Sequence, residues 1–474
     1  MLDALNILFN KVTGALPQSV VKLTGDGSNR VYYRLSGDGC SFIGAVGTSQ
    51  KENKAFVSFA DNFRECGINA PEVLAVSDDG LCYLQQDLGD ESLFARMKAS
   101  RDEGYFSRQD TDALCKVMAQ LPHIQFKIAQ KIDFSLCYPV AEFDKRAVMW
   151  DLNYFKYCFL KGVGVEFDEN ALENEFEKLS HILLEEKADT FMYRDFQSRN
   201  IMWFNDVPWF IDFQGGRKGP IYYDVASFVG QARAKYTPEV VEQMIDAYIS
   251  SLAEYRVVQR EEFNLKLRCF RIFRLLQNLG TYGFRGIFER KKKFVETIPA
   301  ALAQLSELLL EDKEIFPLLA SIIDDVRTLQ RFAPHQKGDL VVDVFSFSYH
   351  RGIPEDYSGN GGGFVFDCRA IHNPGRYEPY KTMTGMDEPV MRFLEEQSEI
   401  AQFLNNAFAM VDTMVEEYMR RGFSHIQVCF GCTGGQHRSV YSAEKMAHYI
   451  SEKFGVKVNV NHIMQNKQYT LDAR

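Results

Sequence analysis

A proline and a glycine in Arg331-Phe332-Ala333-Pro334-His335-Gln336-Lys337-Gly338-Asp339 interrupt a helical pattern, and the strand-like run LVVDVFSFSY follows at once. The chain is expected to change architecture at that point, with one domain over residues 1–331 and a second over 338–474. Its 474 residues exceed what one ordinary core organises, which agrees with a division.

The two regions carry different periodicities. Residues 21–46, VKLTGDGSNRVYYRLSGDGCSFIGAV, alternate as strands around a glycine-containing turn, KENKAFVSFADNFRECGI has helical spacing, and LCYLQQDLG reads as a strand running into a linker. Residues 108–185 read as helical, 191–214 as strands, and the stretch to about 331 as helical again. Beyond the break come a glycine-rich loop (358–363), the strand FVFDCR, a long helix near 389–421, the strand HIQVCF, a second glycine loop, another helix and KVNVNH. Strands alternating with helices predict a small α/β domain there. No internal repeat is visible.

Charge narrows the partners. With 54 basic and 64 acidic side chains the net charge is −10, and residues 338–474 hold 13 basic against 17 acidic ones. Neither part suits a phosphate backbone or an anionic membrane, so nucleic acid is not an expected partner. The basic run Arg290-Lys291-Lys292-Lys293 reads as a solvated helix face. MLDALNILFNKVTG lacks the pattern of a secretory leader, no run of apolar residues is long enough to span a bilayer, and ten scattered cysteines look like buried free thiols. These features predict a cytoplasmic location.

The chemistry is densest in YRDFQSRNIMWFNDVPWFIDFQGG. Phosphoryl transfer needs a carboxylate to accept the proton of the attacking hydroxyl and oxygen ligands to hold Mg²⁺ against phosphates. Asp195 is placed for the first task, with Arg194 beside it as a second catalytic candidate. Asn200, five residues on, and Asp212, after a short hairpin, are placed for the second. Each alone could be a turn residue. The spacing of all three follows the catalytic-loop pattern of kinases.

On these residues the chain resembles the aminoglycoside phosphotransferase/choline kinase superfamily over residues 1 to about 330, and the form Tyr193-Arg194-Asp195-Phe196-Gln197-Ser198-Arg199-Asn200 is most similar to the bacterial anomeric kinases acting on N-acetylmuramate and N-acetylglucosamine. The resemblance implies an α+β, two-lobed, protein-kinase-like fold (N-lobe about 1–90, C-lobe 91–331), with ATP and Mg²⁺ as cofactors and a sugar as acceptor. It implies that Gly25, Gly27, Ser28, Asn29 and Arg30 cover the phosphates, that Glu52 opens the N-lobe helix and that Gln86 lies in the lobe hinge. Tyr223-Asp224-Val225-Ala226-Ser227 matches the helix after the metal site. One departure is that the strand carrying the usual phosphate-binding lysine reads Ser41-Phe42-Ile43-Gly44-Ala45-Val46-Gly47. Arg30 or Arg34 is the candidate substitute, and a catalytically dead kinase is the alternative. For the acceptor, Tyr138, Trp150, Asp151, Asn153 and Tyr154 offer aromatic and hydrogen-bonding surface, with Gln197 and Arg199 in the catalytic loop as further candidates; the helical ones could equally be core and surface of their helix.

A second site is predicted in HIQVCFGCTGGQHRSVYSAEKMAHYI, where a glycine loop enters a helix and presents free N–H groups to an anion. Cys432, Thr433, Gly434, Gly435, His437, Arg438 and Ser439 are its candidates. The Cys432-to-Arg438 spacing also fits a cysteine-dependent phosphatase, while Cys429 and Cys432 alone make a weak zinc pattern. Over 340–465 the chain resembles the C-terminal domain of RapZ-type regulators of amino-sugar synthesis, through Ser346-Phe347-Ser348-Tyr349, Phe366-Asp367-Cys368-Arg369, Thr384-Gly385-Met386-Asp387-Glu388-Pro389 and the 431–440 loop. That resemblance implies a sensor for a phosphorylated amino sugar. Oligomeric state is left open.

Overall fold

The structure is a computed structural model, and it describes residues 2–23, 30–329, 332, 340–356 and 362–473. The glycine loop 24–29 and most of the 331–339 break lie outside the described residues. The chain divides into two compact units, Met1–Arg327 and Thr328–Arg474.

The first unit opens with a helix that the sequence reading missed, α1 (Leu2–Thr13). Five strands follow, β1 (Ser19–Lys22), β2 (Val31–Gly37), β3 (Cys40–Val46), β4 (Val73–Val76) and β5 (Cys82–Gln86), in an antiparallel sheet of order β1-β2-β3-β5-β4. Leu5, Leu8 and Phe9, at i, i+3 and i+4, place one face of α1 on Leu35, Val46, Cys82 and Leu84. Gly44 permits that approach, since a Cβ there would lie 2.7 Å from a Leu35 methyl and 2.9 Å from Leu5. Helix α2 (Gln50–Glu65) is capped by Ser49, whose hydroxyl accepts the Glu52 N–H. Its buried stripe of Phe56, Phe59 and Phe63 reaches the second lobe, where Phe213 stacks on Phe56 at 4.9 Å and on Phe63 at 4.5 Å.

That second lobe is helical, built on Arg108–Ala129, Lys145–Phe155, Glu169–Leu184, Pro238–Leu252 and Arg260–Tyr282, with two small antiparallel pairs inserted: Thr190–Met192 with Arg217–Gly219, and Ile201–Phe204 with Val207–Phe210. A small-sheet lobe joined by a hinge to a helical lobe is the protein-kinase-like α+β arrangement expected from the sequence. Arg34 fastens the hinge by donating from Nε to Asp87 at 2.7 Å and from Nη1 to Asp90 at 3.1 Å.

The second unit holds a mixed sheet of order Gly363–Asp367, His425–Cys432, Val341–Ser348, Lys457–His462, Lys467–Leu471, parallel except for the last strand. His425–Cys432 is buried along its length, as a parallel strand covered on both faces should be. The long helix expected near 389–421 is two, Glu388–Gln397 and Ile400–Arg421, because Ser398 donates to the Leu394 carbonyl and accepts from the Ile400 N–H, capping one while opening the other. The edge strand Lys467–Leu471 was not anticipated, since KQYTL has no apolar alternation to mark it. Among the described residues no helix is long and apolar enough to cross a membrane.

Candidate functional site

The strand Thr190–Met192 delivers Tyr193, Arg194 and Asp195 into a loop whose backbone is held from below. Asp224, wholly buried in the helix Tyr222–Val229, accepts the N–H groups of Tyr193 at 2.7 Å and Arg194 at 2.8 Å. Burial pushes the Asp224 carboxyl up to about 7, and those two N–H bonds work in the opposite direction. Arg194 sits at φ +75° and Asp212 at φ +68°, positions that β-carbon-bearing residues rarely hold without surrounding support.

The loop ends at Asn200, whose Nδ2 donates to the Asp195 carbonyl at 2.8 Å and to Asp212 Oδ2 at 3.2 Å. The two strands between Asn200 and Asp212 turn through Asn205 and Asp206, both at positive φ as a tight hairpin demands. Gln214 donates to Asp212 Oδ1 at 2.7 Å. Burial, and then the neighbouring charge of Asp195, push the Asp212 carboxyl up. The Asp212 carboxylate, repelled by that of Asp195, and the Asn200 amide therefore meet where a divalent cation would relieve the repulsion, and Asp212 with an Asn200 amide turned to present its oxygen would give the oxygen ligands that suit Mg²⁺. Among the described residues no cluster of three or more His, Cys, Asp or Glu side chains could hold a metal, so water or phosphate oxygens would complete the shell.

Above Asp212 lies Arg30, 5% exposed, with Nη2 at 3.3 Å from Glu52 Oε1 on α2 and its guanidinium 5.9 Å from the Phe56 ring. The register explains its room. Tyr32, Ala45 and Tyr83 sit side by side across β2, β3 and β5, and the smallest of them occupies the middle strand. Burial opposes the Arg30 charge, while Tyr83, Tyr32 and Glu52 around it outweigh that and hold its pKa above the ordinary arginine value. Gln86 pairs with Glu72 at the hinge, its N–H donating to the Glu72 carbonyl at 2.9 Å. Gly25, Gly27, Ser28 and Asn29 lie outside the described residues.

A cavity of about 460 Å³ opens beside Asp195. Of the sequence candidates it gathers Glu52, Tyr138, Arg194, Asp195, Gln197 and Arg199 on its wall. Asp151 is one step removed, accepting from Gln277 at 2.6 Å and lying 3.7 Å from Arg194. Trp150, Asn153 and Tyr154 are not on that wall. Trp150 is 51% exposed, and Tyr154 is packed near Phe284 and against Gly280, so the aromatic face expected of this helix looks elsewhere. The sequence reading missed Gln231, Arg233, Arg274, Gln277, Thr281 and Tyr282, which supply much of the wall. For Arg274, Gln277, Thr281 and Tyr282 the only signal was their spacing along the Arg260–Tyr282 helix, and Gln231 and Arg233, on a separate turn, carried none.

In the second unit the glycine loop leaves the carboxyl end of His425–Cys432 and enters the helix Arg438–Phe454. Gly435 has φ +64°, and a Cβ on it would meet Met464 at 2.5 Å and the Ser348 nitrogen at 2.9 Å, so only glycine fits. Thr433 and Gly434 are exposed, with open space over Gly434. His437 Nε2 donates to the Tyr380 carbonyl at 2.8 Å. Arg438 departs from the bidentate anion clamp expected of it: its Nη1 donates to the carbonyls of Arg369 and Ile371, both at 2.9 Å, while its Nε is buried with no hydrogen-bond partner among the described residues. Cys432, 3% exposed, has its Sγ 3.1 Å from Ser439 Oγ.

A model of the phosphotransferase enzyme family matches residues 19–259, just over half of the chain, and a model of the RapZ C-terminal domain matches 340–466. A nucleotide-binding protein of Glaesserella parasuis serovar 5 is 30% identical over 234 residues, 49% of this chain and 77% of that protein. One of Endomicrobium trichonymphae is 33% identical over 172 residues (36% and 55%), and one of Tolumonas auensis 36% over 120 (25% and 40%). The chain thus spans about half, or less, of the latter two. Among solved structures, choline kinase LicA from Streptococcus pneumoniae aligns at TM-score 0.45 and 13% identity over 64% of this chain and 98% of that one. A choline/ethanolamine kinase family protein from Mesorhizobium loti aligns at 0.46 and 13% over 69% and 99%. The chain belongs to the phosphotransferase enzyme family, and it carries a RapZ C-terminal domain behind that region.

Proposed function

We propose that the first unit transfers the γ-phosphoryl group of ATP to the anomeric hydroxyl of an N-acetylated amino sugar, and that the second unit binds a phosphorylated amino sugar. The convergence of Asn200 and Asp212 on Asp195, which itself lines the cavity, carries the first reading. Asp195 accepts the proton of the attacking hydroxyl and orients it. Asp212 and Asn200 hold Mg²⁺, which when bound supplies charge neutralisation across the phosphates. Gln197, Gln231, Gln277 and Thr281 give the wall the hydrogen-bonding groups that a polyhydroxylated acceptor uses, and Tyr138 and Tyr282 give it flat apolar surface. The ten cysteines are all free thiols, which supports a reducing, cytoplasmic setting.

Arg30 takes the place of the missing strand lysine, reaching the phosphates from the end of the glycine loop while Glu52 holds it. Arg30→Ala should raise KM for ATP and lower kcat/KM by about 10- to 100-fold, and Arg30→Lys should recover most of that loss because the charge beside Glu52 returns. Steady-state kinetics with varied ATP decides it. Wild-type constants in Arg30→Ala would remove Arg30 from the nucleotide site.

For the second unit, the open glycine loop, the helix N-terminus and the unpartnered Arg438 Nε support a phosphate site. Arg438→Lys keeps a charge but loses Nε, and should weaken glucosamine 6-phosphate binding to the full chain by about tenfold in calorimetry without nucleotide. Equal affinities would place the phosphate elsewhere. A panel assay of ATP consumption tests the kinase reading.

A further inference from the structure

The cavity wall is unusually rich in guanidinium groups. Arg194, Arg199, Arg233 and Arg274 face it, against the carboxylates of Asp195 and Glu52. Glu52 is paired with Arg30 at 3.3 Å, and Arg194 lies 3.7 Å from Asp151. The other three come from separate elements: the turn Ser198–Asn200, the turn Ala232–Ala234 and the helix Arg260–Tyr282. Among the described residues, none of the three has a carboxylate within ion-pair distance.

Arg274 makes the case sharpest. It is 4% exposed, and its partners are all neutral: the Tyr223 hydroxyl at 2.7 Å, Ser227 Oγ at 2.9 Å and the Gln277 side-chain oxygen. Its Nε is buried without a partner among the described residues. The buried Asp224 feels the charge of Arg274 but lies beyond ion-pair distance, and a buried guanidinium without a paired anion is costly. The three also converge, since the Tyr282 phenol is pushed up by burial and pulled down by Arg199, Arg274 and Arg233 together. Arg233 and Arg274 belong to the helical lobe, and no residue of the hinge strand β5 lines the cavity, so this is the acceptor side of Asp195.

We infer that the acceptor carries an anionic group, a carboxylate or a phosphate monoester, docked among Arg199, Arg233 and Arg274 beside Tyr282. The inference rests on the phosphotransferase reading and narrows its substrate class. A cationic amine as acceptor would meet three like charges here and be disfavoured.

Three acceptors that share one ring test it with the full chain, ATP and Mg²⁺: neutral N-acetylglucosamine, its carboxylate-bearing lactyl ether N-acetylmuramate, and N-acetylglucosamine 6-phosphate. At least one anionic acceptor should show a kcat/KM about tenfold or more above the neutral sugar, and which one does identifies the group. That advantage should shrink about tenfold in the exposed-site variants Arg233→Gln and Arg199→Gln and weaken with added salt, while KM for ATP in Arg233→Gln moves by less than about threefold. If N-acetylglucosamine is phosphorylated as well as both anions, or if the advantage survives both substitutions, the inference falls and the kinase reading stands. If no sugar is phosphorylated, both fall.

Discussion

Asp195→Asn is expected to bind ATP as the wild type does while its turnover falls by about 10²- to 10⁴-fold. The substitution preserves the size of a side chain whose surroundings are fixed by other groups: Asn200 bonds the residue's carbonyl, and Asp224 holds the two preceding N–H groups. What disappears is the acceptor for the hydroxyl proton. Because Asp195 is not among the groups assigned to the cation, nucleotide affinity should change little, so the loss should appear in kcat and not in KM for ATP. Rapid-quench turnover beside an equilibrium nucleotide titration separates the two quantities. Turnover within threefold of wild type would show that the proton leaves by another route.

Asp212→Asn should produce a different signature. Burial opposes ionisation of the Asp212 carboxyl, the nearby charge of Asp195 adds to that cost, and a cation would relieve both. Without the carboxylate, the thermal stabilisation that ATP with Mg²⁺ gives the wild type should vanish, and turnover should fall on the order of 10³-fold or more. The unliganded variant should melt within a few degrees of the wild type, because removing a like-charge repulsion offsets the loss of one of the two bonds donated by Gln214 and Asn200, of which a single amide oxygen can keep only one. Differential scanning fluorimetry with and without ATP and Mg²⁺ reads both effects. An undiminished Mg²⁺-dependent shift in Asp212→Asn would put the cation elsewhere.

How much of this was legible in the chain follows from the range over which each part is built. Asp195, Asn200 and Asp212 lie within one strand, loop and hairpin, so their spacing alone brings them together. The Cys432–Ser439 loop is local in the same way, although nothing local hints that Arg438 donates Nη1 to the carbonyls of Arg369 and Ile371, which lie 69 and 67 residues earlier in the chain. Arg30 needed the register: only the alignment of Tyr32, Ala45 and Tyr83 across three strands shows the space it fills. The cavity wall was hardest, because Arg233, Arg274 and Tyr282 come from downstream of the Tyr193–Asn200 loop and meet it only through the packing of the helical lobe. Trp150 and Tyr154 drew attention as aromatics, yet composition says nothing about which face of a helix meets a cavity. Helix α1 was visible only as Leu5, Leu8 and Phe9, a stripe too short to separate from chance.

The most direct test of the account is phosphorus NMR of the products formed when the full chain is incubated with ATP, Mg²⁺ and N-acetylated amino sugars. The account predicts ADP formation that depends on the sugar, together with a new signal from a phosphate on the anomeric carbon, both absent in Asp195→Asn. A panel in which no sugar gains a phosphate, and ADP forms no faster than without acceptor, would contradict it.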